Sequence, residues 1–192
     1  ITMLNLSHNQ LREYPVAINQ LPCLRSLSLA NNQLASIKGI EGATALEWLM
    51  LAHNKLEKIS NVSAVVTLRY LDARYNVLRA MPYFIITLPK LRNFSISNNR
   101  VAANKAFILR AWSRHLRVLD LSEQNISSLP KEIGLLESLI DLDLSKNKMS
   151  ILIPQLGNLS ALRVLNLNEN LLETIGALLP LAKLDLCELS LR

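Results

Sequence analysis

One pattern of leucines recurs along the whole chain and limits the folds that the chain can adopt. The pattern is L-x-x-L-x-L-x-x-N-x-L, and a clear copy is formed by Leu46, Leu49, Leu51, Asn54 and Leu56. It recurs every 22 to 25 residues, which gives eight copies and the beginning of a ninth within 192 residues. Repeats of this length predict a solenoid, in which stacked coils bury the apolar face that one coil cannot bury alone.

The alternation inside each copy predicts one short strand per coil. In the segment L-x-L the two leucines point inward, whereas the residues before, between and after them point to the opposite face. The asparagine can donate and accept hydrogen bonds in the turn that follows. The predicted fold is an α/β right-handed solenoid shaped like a horseshoe, with a concave parallel sheet and short helical, 3-10 or irregular segments on the convex side.

Two copies depart from the pattern, and the spacing between them predicts a longer helix. Ala73 occupies a leucine position in the fourth copy, and Gln124 occupies the asparagine position in the sixth. The longest interval, 25 residues, precedes the sixth copy. There, Asn104 can cap a helix that runs through Trp112.

The copies follow one another without an abrupt change in composition. Residues 1–192 are therefore predicted to form a single repeat domain of about eight full repeats plus a final strand. Both ends of the chain fall inside a copy of the pattern. Natural solenoids cover such ends with capping segments. We therefore expect a fragment of a longer protein that lacks its caps.

The eight copies resemble the leucine-rich repeat family over essentially the whole chain. Those from Asn32 to Asn76 resemble the regulatory subunit of protein phosphatase 1, and the stretch L-P-K-E-I-G-L-L-E-S-L from Leu129 is similar to Ras-associated leucine-rich scaffolds. The resemblance implies an intracellular, cytoplasmic module without enzymatic activity. Such a module binds a partner protein as a scaffold, adaptor or regulatory subunit in signalling.

Residues at the same position in successive copies are expected to form rows across the concave face, because parallel strands lie about 4.8 Å apart. Large amphipathic side chains gather in the third and fourth copies, and aspartates follow in later copies. The predicted partner-binding residues are Trp48, Met50, His53, Tyr70, Asp72, Arg74, Tyr75, Asn93, Asp120, Asp141 and Asp143.

The aromatic members predict a binding hot spot, since Trp, Tyr and Arg are enriched among interface anchors. The alternative is that Trp48 stacks on Tyr70 only to shield the sheet. The acidic members, together with Glu123, could receive basic side chains of the same partner. Their alternative is a solvated acidic surface.

The net charge of +6 is concentrated in the middle of the chain, where nine basic residues and no acidic residue lie between Asp72 and Asp120. This region is expected on the flank or the convex side. It is interpreted as a solvated surface, or as a second contact with an acidic protein or an anionic surface. Nucleic acid is disfavoured, because single-strand binding needs aromatic residues interleaved with the cations, whereas Trp48 and Tyr70 lie at the edge of the basic region.

The chain offers no arrangement that predicts catalysis, a cofactor or a metal. Its three histidines are far apart, its five glycines form no phosphate-binding loop, and its two cysteines are 164 positions apart. Apolar runs are far shorter than the about 20 residues of a membrane span. The alternatives are a regulatory segment of a larger kinase, phosphatase or cyclase, a ribonucleoprotein component, and an extracellular receptor. The oligomeric state is left open.

Overall fold

The strand segments of the repeats form one parallel sheet in a computed structural model that describes residues 1–80, 82, 88–101 and 115–192. Among these residues nine strands lie side by side in the order of the sequence. They are β1 (Met3–Asn5), β2 (Ser26–Ser28), β3 (Trp48–Met50), β4 (Tyr70–Asp72), β5 (Asn93–Ser95), β6 (Val118–Asp120), β7 (Asp141–Asp143), β8 (Val164–Asn166) and β9 (Glu188–Ser190). The predicted solenoid is confirmed.

The register places equivalent repeat positions directly opposite one another. Leu49 of β3 pairs with Leu71 of β4, which pairs with Phe94 of β5. The central residues of β2 to β8 are buried, and they join the other frame leucines in one continuous core. Ala73 and Phe94 both belong to that core. The flanking strand residues face away from it, because side chains alternate between the two faces of a strand.

The return segments are short 3-10 helices rather than α-helices. Those within the described residues are Val16–Gln20, Ile40–Gly42, Ser60–Ala64, Lys131–Leu135, Pro154–Asn158 and Ile175–Leu181. Each inserts at least one apolar side chain into the core, such as Ile18, Val62 or Leu156. The predicted helix from Asn104 through Trp112 lies outside the described residues.

The frame asparagines connect each coil to the one before it. Asn54 donates from Nδ2 to the carbonyls of Leu29, Leu51 and Ala52 at 2.9, 3.0 and 3.3 Å, and its Oδ1 accepts the Leu34 N–H at 2.9 Å. The buried Leu34 N–H would carry a desolvation penalty without this acceptor, and each carbonyl gains a second donor beside Asn32 Nδ2, Asn76 Nδ2 or the Asn31 N–H. The predicted role of the asparagine, as both donor and acceptor, is confirmed.

The strand exits adopt a backbone conformation that is uncommon for residues other than glycine. In each of eight copies the residue that begins the turn has φ between 50° and 57°, in the left-handed region. These residues are His8, Asn31, His53, Tyr75, Asn98, Glu123, Lys146 and Glu169. Each conformation costs a non-glycine residue free energy. Hydrogen bonds to the neighbouring coil hold it in place, as when the His53 N–H donates to the Arg74 carbonyl at 3.0 Å.

Candidate functional site

Trp48, Tyr70 and Asn93 form a row at the beginning of three successive strands. They are direct partners in the parallel register. Together with Glu47, Arg69 and Arg92 they line a depression of about 260 Å³, which we call the aromatic groove. Trp48 is 41% exposed and Tyr70 is partly buried. The row therefore presents apolar ring surface to solvent beside charged side chains.

The neighbouring Trp48 and Tyr70 rings do not shield each other by stacking. Among the described residues, the stacked ring pair is His53 with Tyr75, whose centroids are 4.2 Å apart and whose planes differ by 7°. Burial, followed by the charge of Asp72, raises the pKa of Tyr70. Its hydroxyl therefore stays protonated and can donate a hydrogen bond to a partner.

The stack of His53 on Tyr75 lies at the exits of strands β3 and β4. Both residues have positive φ, and Tyr75 is 41% exposed. Met50 lies between the two aromatic clusters and pairs in register with Asp72. The predicted hot-spot residues thus form two exposed clusters, one at the beginning and one at the end of the same two strands.

Asp72 and Arg74, both predicted to contact a partner, are joined to each other. Arg74 donates from Nε and Nη2 to the two carboxylate oxygens of Asp72 at 3.0 and 2.9 Å, and from its backbone N–H at 3.1 Å. Asp72 is only 4% exposed, whereas the Arg74 side chain is 43% exposed. The hydrogen bonds to Asp72 raise the pKa of Arg74. Arg74 can still offer a flat guanidinium face to a partner, but Asp72 is a supporting residue.

The aspartates of later strands also hydrogen-bond within the protein. Asp120 accepts from the Ser122 N–H at 3.0 Å and from the Ser95 hydroxyl at 2.6 Å. Asp143 accepts from the Ser145 N–H at 2.8 Å and from the Asn166 amide at 3.1 Å. In this row the side chain caps the turn after the strand, which explains the recurrence of Asp and Asn there.

Asp141 begins β7 and occupies the same repeat position as Trp48 and Tyr70. No hydrogen bond to its side chain occurs within the described part of the chain. Burial, followed by the charges of Asp143, Glu188 and Asp120, raises its pKa. Asp120, Asp141, Asp143 and Glu188 form what we call the acidic patch. Sequence reasoning omitted Glu188, although continuing the row into β9 would have found it.

Two arginines border the aromatic groove, which sequence reasoning did not predict, and one of them, Arg92, belongs to the basic region. Arg69 and Arg92 directly precede β4 and β5, and both line the groove. Glu47 bridges Arg25 and Arg69, with N–O distances of 2.5 and 3.1 Å. The signal was present in the sequence, because these residues occupy one position of the repeat.

The site offers hydrogen-bonding groups, ring faces and charges of both signs, which is the chemistry of recognition. Within the described residues, no cluster of His, Cys, Asp and Glu could hold a metal ion. The same residues contain no helix long and apolar enough to cross a membrane. Cys23 and Cys187 are free and exposed.

Comparisons with known proteins agree with the architecture. A family profile described as "Leucine Rich repeats (2 copies)" matches residues 1–42. A search of curated protein sequences finds no match. Among solved structures, a leucine-rich repeat protein of Leptospira interrogans is 28% identical, with a TM-score of 0.84, over 97% of this chain and 48% of that chain.

Two further structures have the same fold. An internalin of Listeria monocytogenes is 25% identical, with a TM-score of 0.77, over 95% of this chain and 52% of that chain. TLR13, solved in complex with the single-stranded RNA ssRNA13, is 22% identical, with a TM-score of 0.82, over 100% of this chain and 29% of that chain. This chain therefore spans about half the length, or less, of the structures that it matches.

Proposed function

We propose that this chain, a leucine-rich repeat protein, binds a partner protein on its concave sheet face. The leucine-rich repeat fold is a typical protein-interaction module, which supports the proposal. The observation that carries it is the exposed Trp48 beside Tyr70, in a groove with a charged rim. A partly exposed aromatic residue within a polar rim is the composition of an interface anchor.

The contacts divide between the two clusters of the same strands. The aromatic groove receives an apolar side chain of the partner, while His53 and Tyr75 offer a second flat surface about one strand length away. The acidic patch lies farther along the sheet and attracts basic side chains of the same partner. Such complementarity contributes specificity and association rate more than affinity.

The proposed module has no enzymatic activity of its own and acts as a scaffold, adaptor or regulatory subunit in intracellular signalling. Support comes from the resemblance of its 22-residue copies to intracellular members of the family. The same proposal covers a regulatory segment of a larger signalling enzyme, because that segment would also bind its partner on the concave face.

The experiment compares partner capture by wild type with capture by the double variant Trp48→Ala, Tyr70→Ala. Partners are identified by affinity purification, and each affinity is then measured with the purified pair. We expect at least about thirtyfold weaker binding, since truncating an anchor costs about 2 kcal/mol or more.

The matched control is Val66→Ala with Ile151→Ala, which removes two exposed apolar side chains from the return segments. It should leave the affinity unchanged. Equal affinities of wild type and the Trp48 and Tyr70 variant for every purified partner would refute the proposal.

A further inference from the structure

Three arginines lie side by side on the flank of the sheet where strands begin, namely Arg69, Arg92 and Arg117. Each directly precedes a strand, and their backbones form a ladder. The Arg92 N–H donates to the Arg69 carbonyl at 2.9 Å, and the Arg117 N–H donates to the Arg92 carbonyl at 2.7 Å. Adjacent strands lie about 4.8 Å apart, so the three guanidinium groups start from points spanning about 10 Å.

The arginines line a groove of about 330 Å³, together with more basic side chains. We call it the basic groove, and the lining residues that bear on its chemistry are Arg69, Lys90, Arg92, His115, Arg117 and Ser138. No acidic side chain occurs among them. Arg92, Arg117, Lys90 and His115 are exposed.

Three of these cations have no anionic partner within the described residues. Glu47 pairs with Arg69 and Arg25, so it neutralises one end of the row. Lys90, Arg92 and Arg117 take part in no ion pair there. Three uncompensated charges around one depression favour a ligand group that carries more than a single negative charge.

The basic row ends after three coils. Ile140 occupies the next position, and its N–H donates to the Arg117 carbonyl at 2.8 Å. Arg163 follows one coil later, but its guanidinium donates to the carbonyls of Ser160 and Leu162 at 3.2 and 2.9 Å. The row is therefore long enough for one or two phosphate groups and too short to follow a polynucleotide.

We infer that the basic groove binds a phosphorylated segment of the protein partner, with the phosphoryl group held by Arg92 and Arg117. A phosphorylated side chain carries a charge of about −1.5 to −2 and three acceptor oxygens, which matches a cluster of guanidinium groups. The inference rests on the proposed function, because it specifies the chemistry of the partner bound on the concave face.

The two grooves share two lining residues, which favours a peptide as the carrier of the phosphate. Arg69 and Arg92 line both, so one extended segment can place a phosphoryl group in the basic groove and an apolar side chain beside Trp48. A polynucleotide would extend past the three coils that carry these arginines, where Ile140 occupies the next position. On the concave face it would also meet the acidic patch.

The test measures fluorescence anisotropy with a degenerate peptide pool that contains one fixed phosphoserine and a nearby fixed aromatic residue. The same pool with serine is the comparator. Wild type should bind the phosphoserine pool at least about tenfold more tightly, because charge-assisted hydrogen bonds form only with the phosphate. The double variant Arg92→Gln, Arg117→Gln should lose this preference.

The control variant Arg163→Gln, Lys148→Gln removes the same charge from outside the basic groove and should keep the preference. Equal binding of the two pools by wild type overturns the inference. If partner capture is still weakened by the Trp48 and Tyr70 substitutions, the proposed function stands. If wild type prefers the phosphoserine pool but the Trp48→Ala, Tyr70→Ala variant captures partners as well as wild type, the proposed function fails and the anion site stands.

Two further probes address other sources of phosphate. Mixed-sequence single-stranded RNA and vesicles containing phosphatidylserine are titrated at the same ionic strength. Stronger binding of either one than of the phosphoserine pool, with loss in the Arg92→Gln, Arg117→Gln variant, would overturn the assignment to a phosphorylated protein. Weaker binding of both supports it.

Discussion

Arg74 donates hydrogen bonds to both carboxylate oxygens of Asp72, with Nε–Oδ1 and Nη2–Oδ2 distances of 3.0 and 2.9 Å. The Asp72 carboxylate is almost fully buried, whereas 43% of the Arg74 side chain is exposed. A buried carboxylate without its cation would carry a large desolvation penalty. This pair therefore supports the concave surface at its centre, between the two aromatic clusters.

Replacing Arg74 should lower stability more than replacing an equivalent unpaired arginine. We expect Arg74→Gln to reduce the free energy of unfolding by about 1 kcal/mol, because the exposure of the guanidinium weakens the pair. Urea denaturation measures the change. The control is Arg92→Gln in the next coil, which should change stability by less than about 0.5 kcal/mol. Equal losses would contradict a structural role for the pair.

The frame asparagines should contribute most to the free energy of unfolding in the interior of the solenoid. Asn54→Ala leaves the buried Leu34 N–H without an acceptor and removes one of two donors from the carbonyls of Leu29, Leu51 and Ala52, so we expect a loss of about 2 kcal/mol. Within the described part of the chain, Asn9 bonds only to the Leu6 and Ser7 carbonyls, and it is exposed. Asn9→Ala should therefore cost less than about 1 kcal/mol in the same denaturation experiment, because water can replace its contacts. A similar cost at both sites would refute this account.

Gln124 is a weak point that one substitution should repair. Its Nε2 donates to the Ile96 carbonyl, but its Oε1 is buried and has no hydrogen-bond partner among the described residues. Gln124→Asn restores the amide geometry of the other coils and should raise the free energy of unfolding by about 1 kcal/mol. Gln10→Asn, at an exposed position, should be neutral. A loss of stability in Gln124→Asn would show that this turn is built around the longer side chain.

The acidic patch should make stability depend on pH through Asp141. Its pKa is raised in the folded state, so the ionised form is disfavoured by folding. The penalty is full above the folded pKa, diminishes as the pH falls through that pKa, and disappears below the unfolded value. Asp141→Asn should therefore stabilise the protein at neutral pH, by about 0.5 kcal/mol, and have no effect below the unfolded pKa.

Thermal unfolding of wild type and Asp141→Asn across the acidic range measures this dependence. Ser150→Asn, at an exposed position away from the patch, is the control for the introduced amide. A benefit of Asp141→Asn that stayed constant with pH would exclude titration as its cause.

Much of the fold could be predicted from the leucine pattern, because the signals are local. The pairing of Trp48 with Tyr70, and of Tyr70 with Asn93, follows from the repeat position of each residue. The helix predicted from Asn104 through Trp112 lies outside the described residues. The partner-binding role of the aromatic residues stays a prediction, since the structure shows their exposure and arrangement and not an occupant.

The candidate site was less predictable where side chains reach across coils. Sequence rows placed Asp72 and Arg74 on the binding face as separate residues, whereas the structure joins them. The rows also stopped before Glu188 and did not connect Arg69 and Arg92 with the aromatic groove. Extending the rows would have found Glu188 and the two arginines, whereas the Asp72–Arg74 pair depends on rotamers, which no periodicity encodes.

The sequence by itself determined how many repeats lie within residues 1–192, where their strands lie and which side chains face the core. Those properties follow from the alternation of a strand and from the hydrogen-bonding capacity of asparagine, both of which act within one repeat. Only the tertiary structure decided that His53 and Tyr75 stack in left-handed backbone conformations, and that basic side chains surround one groove. The reason is that contacts between neighbouring coils offset the backbone cost at each exit and set the charge around each surface.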